Sequence, residues 1–120
     1  MPWTKEACDG MNYCKAIVQD HCMYIDTYAS VKSNKIGKQV IGYILTPKPE
    51  TNWLNKLREY DRIEGYNATN KSRCLYYRQV VEAIKIATEE KVRCYIYIRN
   101  NASEIYEVPN GDWLQRDKSI

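Results

Sequence analysis

Two runs in the second half of the chain constrain its fold more than anything else in the sequence. Between Leu75 and Thr88, Tyr77, Gln79, Val81, Ala83 and Lys85 fall on one side of an extended chain. Tyr76, Arg78, Val80, Glu82, Ile84 and Ile86 fall on the other. A period of two is the geometry of a strand, whose successive side chains point to opposite faces. The alternation is imperfect, as in a strand that twists or bulges. Glu89-Glu90-Lys91 predicts a turn, and Val92, Cys94, Tyr95, Ile96, Tyr97 and Ile98 predict the returning strand.

The first half supplies the remaining elements. Ala16 to Ala29 carries β-formers such as Ile17, Val18, Tyr24 and Ile25, and predicts one or two strands. Val40-Ile41-Gly42-Tyr43-Ile44-Leu45 is a nearly continuous apolar run, the pattern of a buried strand. It should stop at Pro47-Lys48-Pro49, where backbone donors are missing and φ is fixed. Thr51 to Tyr60 predicts a short helix, with Thr51 as N-cap and Leu54, Leu57 and Tyr60 on one stripe. Gly65 and the polar run Asn67 to Ser72 then interrupt the chain, and Asn110-Gly111-Asp112 predicts a turn into Trp113. Strands, a short helix, a long hairpin and an aromatic tail together predict an α+β fold: a small mixed, barrel-like sheet with a few short helices. No repeat, low-complexity tract or linker divides the 120 residues, so residues 1–120 are expected to form one domain.

Composition removes several classes of function. With 44 % apolar and 28 % charged residues the chain can build a core, which excludes general disorder. No stretch has the length of a membrane-spanning helix. Met1-Pro2-Trp3-Thr4-Lys5-Glu6 lacks the apolar run of a secretory signal, so a cytoplasmic location and no membrane partner are expected. The net charge of +3, with loose basic runs at Lys32, Lys35 and Lys38 and at Lys71 and Arg73, is too thin for a nucleic-acid face.

The five cysteines are odd in number and have no CxxC spacing. Cys14, His21 and Cys22 lack an evident fourth ligand, so no metal site is expected and reduced thiols are the plain reading. Sequons at Asn67, Asn70 and Asn101 are explained equally well by turn chemistry. Tyrosine occurs 11 times and phenylalanine never, so tyrosines must fill the aromatic core, and each buried hydroxyl needs a partner.

The segment richest in chemistry is Leu57-Arg58-Glu59-Tyr60-Asp61-Arg62-Ile63-Glu64-Gly65-Tyr66. A helix ends, an acidic residue follows, and a glycine lets the chain turn sharply behind it. The apolar neighbours Ile63 and Tyr66 would withdraw Glu64 from water and raise its pKa, as a general base working near neutrality requires. Taken alone, a glutamate in such a place is more often a cap or solvent-exposed.

Several of these motifs, in series, resemble the gamma-glutamylcyclotransferase-like superfamily. Val40 to Leu45 resembles its glycine-containing strand, and Asp61-Arg62-Ile63-Glu64-Gly65-Tyr66 is similar to the segment after its short helix. Tyr77-Arg78-Gln79-Val80-Val81 and Cys94 to Ile98 resemble the hairpin, and Gly111-Asp112-Trp113 its closing motif. Val18 to Val31 is similar to the stretch that precedes the glycine strand, and the likeness covers roughly residues 16 to 115.

The resemblance implies that Glu64 is the acid/base of an intramolecular cyclisation that yields 5-oxoproline and releases an amine. The implied substrate is a small γ-glutamyl amine, peptide or amino-acid conjugate, with no metal or nucleotide cofactor. Tyr66, Tyr77 and Arg78 would bind substrate; core packing and a structural ion pair are the alternative reading of those three. The family also opens with a strand ending in Tyr-Gly-Ser/Thr, whose backbone N–H groups cradle the substrate carboxylate. Nothing in this sequence matches it. That departure leaves a second expectation open: a shortened, inactive relative that binds a small ligand or a protein partner. An uncovered sheet edge would also invite self-association into homo-oligomers.

Overall fold

The computed structural model describes residues 8–26, 28–101 and 103–115. The Met1 to Glu6 stretch and Ala102 of the third sequon lie outside them. Strands β1 (Met11–Gln19), β2 (Cys22–Asp26), β3 (Tyr28–Lys32) and β4 (Gln39–Pro47) lead into helix α1 (Trp53–Glu64). A 3-10 helix (Ala68–Arg73), strands β5 (Tyr76–Lys85), β6 (Lys91–Arg99) and β7 (Tyr106–Glu107), and a 3-10 turn (Pro109–Gly111) complete the chain.

Two antiparallel sheets result, in the orders β4-β1-β5-β6 and β3-β2-β7. The architecture is α+β, as the sequence predicts, but among the described residues the sheets stay open and do not close into a barrel. Among the described residues every ladder is antiparallel, and the isolated bridge between Ile41 and Asp112 is parallel. The one or two strands predicted between Ala16 and Ala29 resolve into parts of three. The first begins at Met11 and lies between β4 and β5 in the larger sheet.

The strand alternation of β5 holds. Tyr77 lies opposite Ile98, and both belong to the core between the sheets, which is built on Met23, Val31, Val40, Ile98 and Val108. Ile96 and Trp113 pack against the same core. The opposite face of the larger sheet receives α1. There Met11 and Tyr60 are buried, with Leu45, Ile63 and Tyr97 packed against them. Val40 and Leu45 are five residues apart on β4, so a period of two sends one to each layer.

Helix α1 starts one residue later than predicted and ends four residues later. Asn52, not Thr51, is the N-cap, its side chain accepting the Asn55 N–H at 3.1 Å. Thr51 instead donates its hydroxyl to the Gly10 carbonyl at 2.8 Å. Pro47 is taken into the end of β4, where an edge strand tolerates a missing donor.

Candidate active site

Glu64 is the last residue of α1, and the way that helix stops fixes where its side chain goes. Gly65 adopts the left-handed conformation at φ 70°. Its N–H donates to the Arg62 carbonyl at 3.2 Å, and the Tyr66 N–H reaches back to the Asp61 carbonyl at 2.8 Å. This pair of bonds is a Schellman motif, which satisfies carbonyls that would otherwise be left bare at a helix end. The chain reverses at once, and Glu64 stays on the face of α1 that meets the sheet. Its exposure is 2 %, unusual for a carboxyl at a helix end.

Tyr60, Asp61 and Glu64 share that face, since residues three and four apart on a helix are neighbours. Asp61 Oδ1 accepts the Tyr97 hydroxyl at 2.6 Å and forms an ion pair with Arg78 Nε at 2.8 Å. The Nε–H is not aimed along that line, so the attraction is Coulombic and not a directed hydrogen bond. Arg78 lies opposite Tyr97 in the β5–β6 register. Its guanidinium lies between two rings, 5.1 Å from the Tyr66 centroid and 4.6 Å from that of Tyr95.

Burial pushes the Tyr97 phenol far above its usual range, and its hydrogen bond to Asp61 adds to the shift. The Asp61 charge and, more weakly, the Glu64 charge act in the same direction, while Arg78 opposes them. The Glu64 carboxyl is thus within electrostatic reach of Tyr97. Burial likewise raises the Tyr60 phenol to about 12, helped by Cys8 and Glu59.

Of the residues expected at the site, Glu64, Tyr66 and Arg78 are brought together. Tyr77 is not among them. It points to the other face of β5, against the core between the sheets, with Lys71 Nζ 4.4 Å from its ring centroid. Tyr95 and Tyr97 join the site without having been singled out in the sequence. The signal was the alternation of β6, which puts both on the face that Arg78 shares once the register is known. Two surface depressions, of about 450 and 330 Å³, border neither Glu64 nor Asp61.

All five cysteines are free. Burial raises the Cys22 and Cys94 thiols above their usual range, which keeps them protonated and poorly nucleophilic. Among the described residues no three His, Cys, Asp or Glu side chains gather as metal ligands, and no helix is long and apolar enough to cross a membrane.

Residues 5–115 match the family model described as gamma-glutamyl cyclotransferase, AIG2-like. The chain belongs to this family. No curated protein matches it. Among solved structures, the solution structure of At5g39720.1 from Arabidopsis thaliana is similar, with a TM-score of 0.57 and 16 % identity. The likeness covers 78 % of this chain and 56 % of that one, so the chain spans little more than half the length of its structural relative. At that identity the likeness concerns the fold alone, and it agrees with the α+β architecture.

Proposed function

We propose that this gamma-glutamyl cyclotransferase, AIG2-like chain cyclises a small γ-glutamyl amine or peptide to 5-oxoproline, with Glu64 as general acid/base. Glu64 takes a proton from the substrate's α-amino group, and the amine nitrogen attacks the γ-glutamyl carbonyl carbon. The tetrahedral centre then collapses, the bond to the departing amine breaks, and Glu64 returns the proton to that amine. Atoms and charges balance with one carboxyl group. Because the reaction is intramolecular, the protein's main task is to hold the γ-glutamyl arm bent.

The observation that carries this reading is the placement of Glu64. It is a carboxyl withdrawn from water at a glycine-capped helix end, beside a second carboxyl already engaged by Arg78 and Tyr97. Two acids in different environments on one helix face can divide their roles, with Asp61 structural and Glu64 chemical. Tyr66 and Arg78 border the same site and are assigned to substrate contact. Tyr77 is assigned to the core.

One observation favours a second reading, a relative that binds without turning over. Glu64 is almost wholly covered, and neither surface depression reaches it.

The test is 5-oxoproline release from a panel of γ-glutamyl amines and dipeptides, comparing the chain with Glu64→Gln. Release that falls by about 10²–10⁴-fold in Glu64→Gln supports the cyclotransferase reading. No release from either protein, both being folded, overturns it in favour of binding.

A further inference from the structure

At the far end of the β5–β6 hairpin lies a cavity of about 450 Å³ between the 3-10 helix and the end of β6. Ser72, Arg73, Arg99, Asn100 and Asn101 are among its lining residues, and no acidic side chain lines it. Arg99 is unusual there. Its Nε and Nη1 are out of water and, among the described residues, have no hydrogen-bond acceptor. Its guanidinium carbon lies 5.4 Å from the Tyr76 ring centroid, within cation–π range.

No ion pair of Arg99 with a carboxylate is found among the described residues; Glu104 pairs with Lys35 and Glu107 with Lys38. Arg99 is half-buried, with two of its guanidine nitrogens out of water, and it lines the cavity; an oxyanion there would meet a partly desolvated planar donor group. The surroundings add positive charge: Arg73 lines the cavity, and Lys32 Nζ donates to the Arg99 carbonyl at 2.9 Å.

The wall is fixed as well. The Asn100 side-chain amide donates to the Lys71 carbonyl at 3.0 Å and to the Cys74 carbonyl at 2.7 Å, and its backbone N–H donates to the Leu75 carbonyl at 3.0 Å.

We propose that this cavity binds the oxyanion of a small molecule, a carboxylate or a phosphate, with Arg99 as principal anchor and Arg73 as second cation. The proposal is independent of the role of Glu64.

The experiment is an amide NMR titration of the whole chain at constant ionic strength, one arm with inorganic phosphate and one with acetate, against a chloride background. Saturable shifts at the Ser72, Asn100 and Asn101 amides are expected in at least one arm, and the arm that saturates identifies the oxyanion. Arg99→Gln should weaken binding about tenfold or more. Arg99→Lys, which keeps the charge but loses the planar fork, should weaken it by less. Arg73→Gln, at an exposed position, should weaken it several-fold and decides the matter should Arg99→Gln fold poorly. Shifts that never saturate in either arm, or saturable shifts that both Arg99→Gln and Arg73→Gln leave unchanged, would overturn the site.

Discussion

The Tyr97 hydroxyl donates to Asp61 Oδ1 at 2.6 Å, tying the second strand of the hairpin to the last turn of α1. Sequence separates the two by 36 residues, and between them lies the whole 3-10 helix and strand β5. This bond, with the Arg78 ion pair, fixes the end of the helix that carries Glu64.

Removing that hydroxyl should therefore loosen the site as well as the fold. Tyr97→Phe leaves a half-buried Asp61 oxygen with one interaction fewer, at a cost of about 1–3 kcal/mol for a hydrogen bond to a charged group. The denaturant midpoint should fall with the m-value unchanged. Any 5-oxoproline release should be reduced but still measurable, because Glu64 is intact. An unchanged midpoint would show that the bond adds nothing to stability.

Gly65→Ala tests the helix cap. An added Cβ meets nothing within 4 Å, so the cost is torsional alone, about 1–2 kcal/mol for a left-handed L-residue. A loss on the order of 5 °C in melting temperature is expected. Gly65→Asn, which tolerates this conformation, should lose less.

Alkaline titration provides a further check. The folded-state pKa of Tyr60, about 12, lies above the ordinary value of 10.0, so folding favours the neutral phenol. Its contribution to stability is intact below pH 10 and is lost as pH rises through about 12. Melting temperature should fall as pH rises above about 9, where the Cys22 and Cys94 thiols begin to contribute, with the Tyr60 share of the fall setting in above about pH 10. Tyr60→Phe, though less stable overall if the hydroxyl matters, should show a shallower fall over that window. Equal slopes in the two proteins would contradict the assignment.

The elements were legible because alternation and capping are local. The β5 pattern separates Tyr77 from Arg78, and the structure places them in different layers. That alternation is reason enough to doubt that both could serve one site. The partners of Arg78 were not legible, because they depend on where the hairpin turns. The sequence suggests a turn at Glu89-Glu90-Lys91. In the structure β5 ends at Lys85, and Ile84 lies opposite Lys91. Residues from Ile86 to Glu90 form the loop, closed by the Lys85 N–H donating to the Glu90 carbonyl at 2.9 Å, with Glu89 at φ 60°. A few residues of difference in the turn reassign every cross-strand pair, so Tyr97 could not be matched to Arg78 in advance. The end of α1 was similarly hidden. Tyr60 closes the apolar stripe, but the helix runs on until Gly65 stops it, which turns Glu64 from a loop residue into a helical one.

Gly111→Ala should be the most damaging of the glycine changes, for a reason visible only in three dimensions. Gly111 is buried against the start of β4, beside the parallel bridge between Ile41 and Asp112. A Cβ there would lie 1.9 Å from the Gln39 carbonyl oxygen, 2.8 Å from its carbon and 2.9 Å from the Val40 Cα. All three atoms are backbone of a strand held in register by β1, so none can move without breaking the ladder. The φ of +67° adds a torsional penalty. Loss of more than about 4 kcal/mol, a large share of the stability of an ordinary domain, is expected. Gly37→Ala is the control, because it shares the positive φ but meets nothing within 4 Å. If both variants lose only about 1–2 kcal/mol by chemical denaturation, torsion explains both and the contact with β4 does not constrain the fold.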